Sequence, residues 1–109
     1  MILISREGQS REVNAFGRIV KQRGAKLIAV TAAPDSELGE IADAVLRLKI
    51  KLADDPFGMI ATSSSLASAA MGDAICETIL VEREYTKEAF AATHPAGGVG
   101  EFFRREADR

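Results

Sequence analysis

The chain opens on an unbroken apolar triplet, Ile2-Leu3-Ile4, which gives way at once to the polar run Ser5-Arg6-Glu7-Gly8-Gln9-Ser10. A short apolar run bounded by polar residues and a glycine predicts a buried parallel strand leading into a turn. Val13, Phe16 and Val20 then return at helical spacing, with Ile19 widening the stripe, Ser10 placed to cap and Gly24 placed to stop. This predicts an amphipathic helix from about Ser10 to Arg23. Leu27-Ile28-Ala29-Val30 is a second apolar run, so the first third of the chain reads as strand, helix, strand, a crossover unit of a parallel sheet.

Pro34-Asp35-Ser36 is turn chemistry with a capping residue, and Leu38, Ile41 and Ala42 follow at helical spacing behind the early acids Glu37 and Glu40. A short helix is expected there. Leu46, Leu48, Ile50 and Leu52 alternate with Arg47, Lys49 and Lys51, a period of two that predicts a third strand with a basic outer row at a sheet edge. From Thr62 to about Glu82 the chain is apolar or small nearly all round, opened by Thr62-Ser63-Ser64-Ser65 as cap material. Such a helix is expected to be buried between two surfaces, the sheet and a second subunit. A short helix over Thr86 to Ala92, an irregular loop His94-Pro95-Ala96-Gly97-Gly98-Val99-Gly100 and a polar tail from Arg104 to Arg109 complete the reading. The fold class is α/β, a small parallel sheet flanked by helices.

With 109 residues the chain is one domain in size, and its 47 % hydrophobic and 28 % charged content excludes disorder. A domain of this length buries roughly 65 % of its unfolded surface, so its stability is expected to lean on a partner. Fourteen basic against sixteen acidic residues give a net charge of −2, without the positive field a nucleic acid needs. A lone cysteine, Cys76, excludes an internal disulfide and a zinc cluster and suits a reducing compartment, so a cytoplasmic location is expected. No basic lead-in marks a signal peptide, no apolar run reaches the ~18 residues of a membrane span, and no membrane partner is expected.

Three places carry candidate chemistry. The turn 5–10 lies between a strand end and a helix start, where free N–H groups and the positive dipole end receive an anion and the Ser5 and Ser10 hydroxyls add donors. Equally, Ser10 is an ordinary helix cap and Glu12 an ordinary first-turn acid. His94, the only histidine, has the one side chain that titrates near neutrality; it suits proton transfer, or is an exposed loop residue without a role. No second histidine or cysteine stands near it to hold a metal. Asp73 interrupts the uncharged run from Leu66 to Cys76 and is expected to be hydrogen-bonded, by backbone or by the serines at 63–65, or functional; Gly72 beside it points to a close approach.

Taken together the segments resemble a sugar isomerase (SIS) domain, most closely its arabinose-5-phosphate isomerase branch, over residues 2 to about 103. Ser5-Arg6-Glu7-Gly8-Gln9-Ser10-Arg11-Glu12 matches the family loop Ser-x-Ser-Gly-x-Ser/Thr-x-Glu except at Glu7, which stands where the family has a phosphate-binding serine. Thr31, Ser36-x-Leu38 and Ala42-Asp43 resemble the family's second strand-turn-helix, and Thr62-Ser63-Ser64 with Ala70-Met71-Gly72-Asp73-Ala74 its long helix. Phe90-Ala91 with His94-Pro95-Ala96-Gly97-Gly98-Val99-Gly100 resembles its His-Pro-Gly-Gly-x-Leu-Gly signature. The resemblance implies aldose–ketose isomerisation of a sugar phosphate through an enediol, with no metal or organic cofactor. It implies that Ser5 and Ser10 hold the phosphate and that His94 and Glu12 are the acid-base residues; Arg6 and Gln9 of the same loop are further candidate substrate-binding residues, and Asp73, from its place in the apolar run, a candidate helix-borne acid. The chain corresponds to the C-terminal part of such a domain, residues 1–103, followed by the tail. Association is therefore expected, as a homo-oligomer or with a complementary N-terminal half. The alternative is a non-catalytic sugar-phosphate-binding module or an inactive fragment.

Overall fold

Three parallel strands form the centre of the chain, in the order β1 (Ile2–Ile4), β2 (Ile28–Thr31) and β3 (Ala44–Arg47). The computed structural model describes residues 1–107, so Asp108 and Arg109 of the expected tail lie outside the described residues. Ile2, Leu3 and Ile4 pair with Ile28, Ala29 and Val30, and the four residues of β2 pair in turn with Ala44, Val45, Leu46 and Arg47. Helix α1 (Arg11–Gln22) makes the crossover from β1 to β2 and α2 (Glu37–Ile41) that from β2 to β3. The α/β class, the parallel sheet and the edge position of β3 are as expected.

The third strand is earlier and shorter than the alternation predicts. Its last rung is Leu48 N–H donating to the Thr31 carbonyl at 2.8 Å, and β2 ends at Thr31, so Lys49, Ile50 and Lys51 run past the end of the neighbouring strand. Two 3₁₀ turns follow, Leu52–Asp54 and Pro56–Gly58.

The face that α1 buries is also rotated from the expected one. Asn14, Gly17 and Val20 are buried, whereas Phe16 and Ile19 are about half exposed. The contact is centred on Gly17: a Cβ there would lie 2.8 Å from Ile41 Cδ1, 3.3 Å from Leu27 Cδ2 and 3.4 Å from Leu3 Cδ1. A glycine lets the helix approach the sheet, and apolar periodicity does not register it. Leu27, Ala29, Val30, Leu38 and Leu48 form the core with Val20.

The chain divides into two compact units, Met1–Asp73 and Ala74–Arg109. The sheet belongs to the first. The second holds α4 (Lys87–Thr93) and α5 (Gly97–Ala107), and α3 (Ser63–Glu82) runs through the boundary. Gly97 to Gly100, expected as an irregular loop, are the first turn of α5, and the expected polar tail is helical as far as Ala107. Arg104 Nη1 donates to the Pro95 carbonyl at 2.9 Å and closes that helix onto its own start.

Helix α3 corrects three expectations. Ser64 is its one buried residue, and Leu66 and Val81 are 75 % and 70 % exposed, with no second layer over them among the described residues. Asp73 is exposed rather than bonded by the serines at 63–65, and a Cβ on Gly72 would meet nothing within 4 Å. By length and mean hydropathy the helix is also long and apolar enough to cross a bilayer, contrary to the expectation that no run is. A helix packed between two protein surfaces has the same composition.

Candidate functional site

The turn between β1 and α1 is built by its own backbone. Gly8 adopts φ +65°, a left-handed conformation that brings its amide to the Ser5 carbonyl and the Ser5 Oγ, both at 3.1 Å. A Cβ at Gly8 would lie 1.8 Å from Ser36 Oγ, so this position requires glycine on two counts. The Gly8 carbonyl accepts from Leu38 N–H and from Asn14 Nδ2, each at 3.1 Å, and the Arg6 carbonyl accepts from Ala32 N–H at 2.8 Å and Thr31 Oγ1 at 3.0 Å. The turn is thus fastened to the C-terminal end of β2 and to α2, at the end of a parallel sheet where ligands of α/β folds gather.

Ser10 occupies the N-cap position of α1 without capping it. Its hydroxyl faces Ser5 Oγ at 3.1 Å instead, and Asn14 N–H, donating to the Ser10 carbonyl, is the first rung of the helix. The amides of Arg11, Glu12 and Val13 therefore have no intrahelical acceptor. Ser5, Arg6, Glu7, Gln9 and Ser10 line a pocket of about 300 Å³ beside them. Two hydroxyls and an amide side chain line it, next to the positive end of a 12-residue helix, and such a combination can accept an anion. Four of the residues expected to bind substrate share this pocket; Glu12, on the first turn of α1, is exposed and outside its lining.

Sequence reasoning missed Asp55. Its carboxylate is 1 % exposed; Oδ2 accepts from Arg6 Nη1 at 2.6 Å, and Oδ1 accepts from the Thr62 and Ser64 amides at 2.9 and 3.0 Å. Asp55 therefore caps α3 from outside the helix, the task expected of Thr62-Ser63-Ser64-Ser65, and ties that end to the anion loop. Hydrogen bonds from Ser64 above all, then Thr62 and Arg6, hold its carboxyl well below the usual carboxylate range, while the same partner raises Arg6 above its ordinary value. Arg6 Nη2 donates to the Gly58 carbonyl at 2.9 Å and to Glu7 Oε1 at 2.8 Å. The sequence signal was faint: an acid before Pro56, seven residues ahead of a serine cluster.

His94 lies in the second unit, at the C-cap of α4, and is exposed. Its Nδ1 is 3.0 Å from both the Phe90 carbonyl and Thr93 Oγ1, and its ring stacks on Phe90 with centroids 4.1 Å apart. Because a carbonyl only accepts, Nδ1 is the donor in that contact, and Nε2 is the ring nitrogen left without a protein partner. A pocket of about 530 Å³ opens beside the ring, between α4 and α5, lined among others by Lys87, Pro95, Phe103 and Arg104. Among the described residues no group of three or more His, Cys, Asp or Glu is gathered to hold a metal.

Residues 1–77 match the SIS domain model. Arabinose 5-phosphate isomerase KdsD of Escherichia coli K12 is 37 % identical over 100 residues, which are 92 % of this chain and 30 % of the relative. Arabinose 5-phosphate isomerase GutQ of Salmonella typhi is 33 % identical over 100 residues, 92 % of this chain and 31 % of that one. Among solved structures, an Escherichia coli CFT073 protein in complex with arabinose 5-phosphate superposes with a TM-score of 0.78 at 29 % identity, covering 86 % of this chain and 50 % of its own. A candidate sugar-phosphate isomerase from Listeria monocytogenes superposes with a TM-score of 0.77 at 37 % identity, covering 87 % and 50 %. The chain thus spans about a third of the length of these curated relatives and half of the solved ones. With a family match that runs through the sheet, the anion turn and most of α3, the chain belongs to the SIS domain family.

Proposed function

We propose that this chain supplies the phosphate loop and an acid-base histidine to a sugar-phosphate isomerase of the arabinose 5-phosphate/ribulose 5-phosphate type. The observation that carries this reading is the turn 5–10, where Ser5, Arg6, Gln9 and Ser10 line one pocket immediately before the first turn of α1. The kinship with arabinose 5-phosphate isomerases supports a sugar phosphate as the ligand of that site.

In the isomerisation a base removes the proton from C2 of the open-chain aldose while an acid protonates the carbonyl oxygen on C1, giving an enediol. Return of a proton to C1 and loss of the proton on the C2 oxygen give the ketose, so atoms and charge balance with no redox step. In this reading His94, exposed at the C-cap of α4 and oriented by the contact of Nδ1 with the Phe90 carbonyl, takes and returns the carbon-bound proton. Glu12, exposed at the start of α1, is the second acid-base group in this reading. The open β1 edge and the uncovered apolar residues of α3 support an active assembly of several chains or a complementary half.

The test is conversion of arabinose 5-phosphate to ribulose 5-phosphate in D₂O, followed by NMR. The expected result is ketose labelled with solvent deuterium, and His94→Ala should cut turnover by ~10²-fold or more. Unchanged turnover in that variant removes His94 from the chemistry. Binding of the sugar phosphate without conversion identifies a non-catalytic module.

A further inference from the structure

We infer that Glu7 is an internal anion that competes with the substrate's phosphate for the guanidinium of Arg6, and so sets how tightly the loop holds its ligand. The inference rests on the phosphate loop proposed above.

Arg6 and Glu7 are the charged side chains lining the pocket of the turn 5–10, and they are bonded to each other. Arg6 has three partners of unequal permanence. Asp55, on Nη1, is 1 % exposed and is also held by the Thr62 and Ser64 amides, so it stays. The Gly58 carbonyl, on one hydrogen of Nη2, is fixed by its backbone. Glu7, on the other hydrogen of Nη2, is 54 % exposed and can rotate into water. An exposed ion pair contributes little, whereas a buried carboxylate cannot leave its cation without a large penalty. Glu7 is therefore the exchangeable partner. When it leaves, one Nη2 hydrogen faces the pocket from a guanidinium that Asp55 and Gly58 still hold in place. A phosphate oxygen is the ligand atom that donor suits, since a charged N–H to phosphate contact is short and strong.

The electrostatics agree with the geometry. Arg6, Asp55 and Glu7 together carry one net negative charge, so with Glu7 in place the pocket lining offers an arriving dianion hydroxyls and an amide but no cation that is not already paired. Loss of the Glu7 charge leaves Arg6 and Asp55 balanced and removes a repulsion within a few ångströms of the ligand.

The experiment is a titration of the full chain with inorganic phosphate, followed by the amide resonances of Gly8, Gln9 and Ser10, for the wild type and Glu7→Gln. Glu7→Gln should bind about tenfold more tightly, with a gain that shrinks as salt is raised. Because the side chain is exposed, the substitution should leave the fold intact, and an unchanged Tm checks that directly. Binding to the variant alone supports the inference in its strongest form. Equal or weaker binding by Glu7→Gln overturns it while leaving the phosphate loop intact. No shift of these amides in either protein overturns the loop and the inference together.

Discussion

Asp55 and Gly8 do the most to hold the anion turn, and neither is conspicuous in the sequence. Asp55 is one of two successive aspartates in a turn, and nothing local marks it as the residue that caps a helix seven to nine positions later and pairs with an arginine 49 positions earlier. Replacing it with alanine strands Arg6 and uncaps α3, and should lower Tm by roughly 10 °C or more, read by calorimetry. Asp55→Asn separates the two tasks, since it keeps an acceptor for the Thr62 and Ser64 amides and loses the ion pair. The pH dependence follows from the depressed carboxyl of Asp55. Stability linked to a carboxylate whose folded value lies below its unfolded value of about 3.9 is complete above that value and is lost as pH falls through the folded one. The advantage of the wild type over Asp55→Asn in urea midpoint should therefore be full at pH 7 and shrink steadily below about pH 4. At Gly8 the left-handed φ and the 1.8 Å approach of Ser36 Oγ both oppose a side chain. Gly8→Ala should cost about 1–3 kcal/mol in urea unfolding and weaken phosphate binding with it. The glycine and serine types of this turn were legible in the sequence, and so was the departure at Glu7. Which neighbouring cation engages Glu7 was not, because Arg6 is positioned by a residue far along the chain.

At the level of elements, what the sequence reveals is what local periodicity can encode. The alternation of strand and helix in the opening β-α-β, the cap Ser36 and the short helix starting at Thr86 were readable because each depends on residues within one or two turns of itself. The boundary of β3 was not, because alternation continues to Leu52 while the neighbouring strand stops at Thr31; pairing, which is non-local, decides the end. The glycines at 97, 98 and 100 were read as a loop; Gly97 does take a left-handed φ of +68°, but the backbone is helical after it, and the Arg104 side chain closes the helix over Pro95. Helix α4 offers a direct test of how a cap reaches the proposed chemistry. Thr86 Oγ1 accepts from Ala89 N–H at 3.2 Å, and the other end of this seven-residue helix carries His94. Thr86→Ala should destabilise the helix by about 1 kcal/mol. Its amides should exchange faster, and the His94 ring resonances should broaden as its bond to the Phe90 carbonyl is made less often.

Across the whole molecule, apolar burial is distributed very unevenly. The buried hydrophobic residues, Val20, Leu27, Ala29, Val30, Leu38 and Leu48, all belong to Met1–Asp73. Within Ala74–Arg109, the described residues include Ile79, Leu80, Val81, Phe90 and Phe102 with more than a third of their surface exposed. This second unit is held by its own helical bonds, the Phe90–Phe103 and Phe102–Phe103 edge contacts and the Lys87–Glu106 pair. Short helices are marginal in water without packing, since each nucleus costs backbone entropy that only burial repays. The two units should therefore open at different free energies. In native-state hydrogen exchange on the isolated chain, the amides of Ala29, Val30 and Thr31 should exchange only through global unfolding, while those of α4 and α5 should be at least ~10²-fold less protected. The sugar phosphate bound at the turn 5–10 would raise protection in the first unit by mass action. If protection of α4 rises with protein concentration, and does so only in chains with an intact α3, association rather than the chain's own core is what orders the helix that carries His94. Protection of α4 equal to that of β2 at every concentration would show instead that the second unit needs no partner.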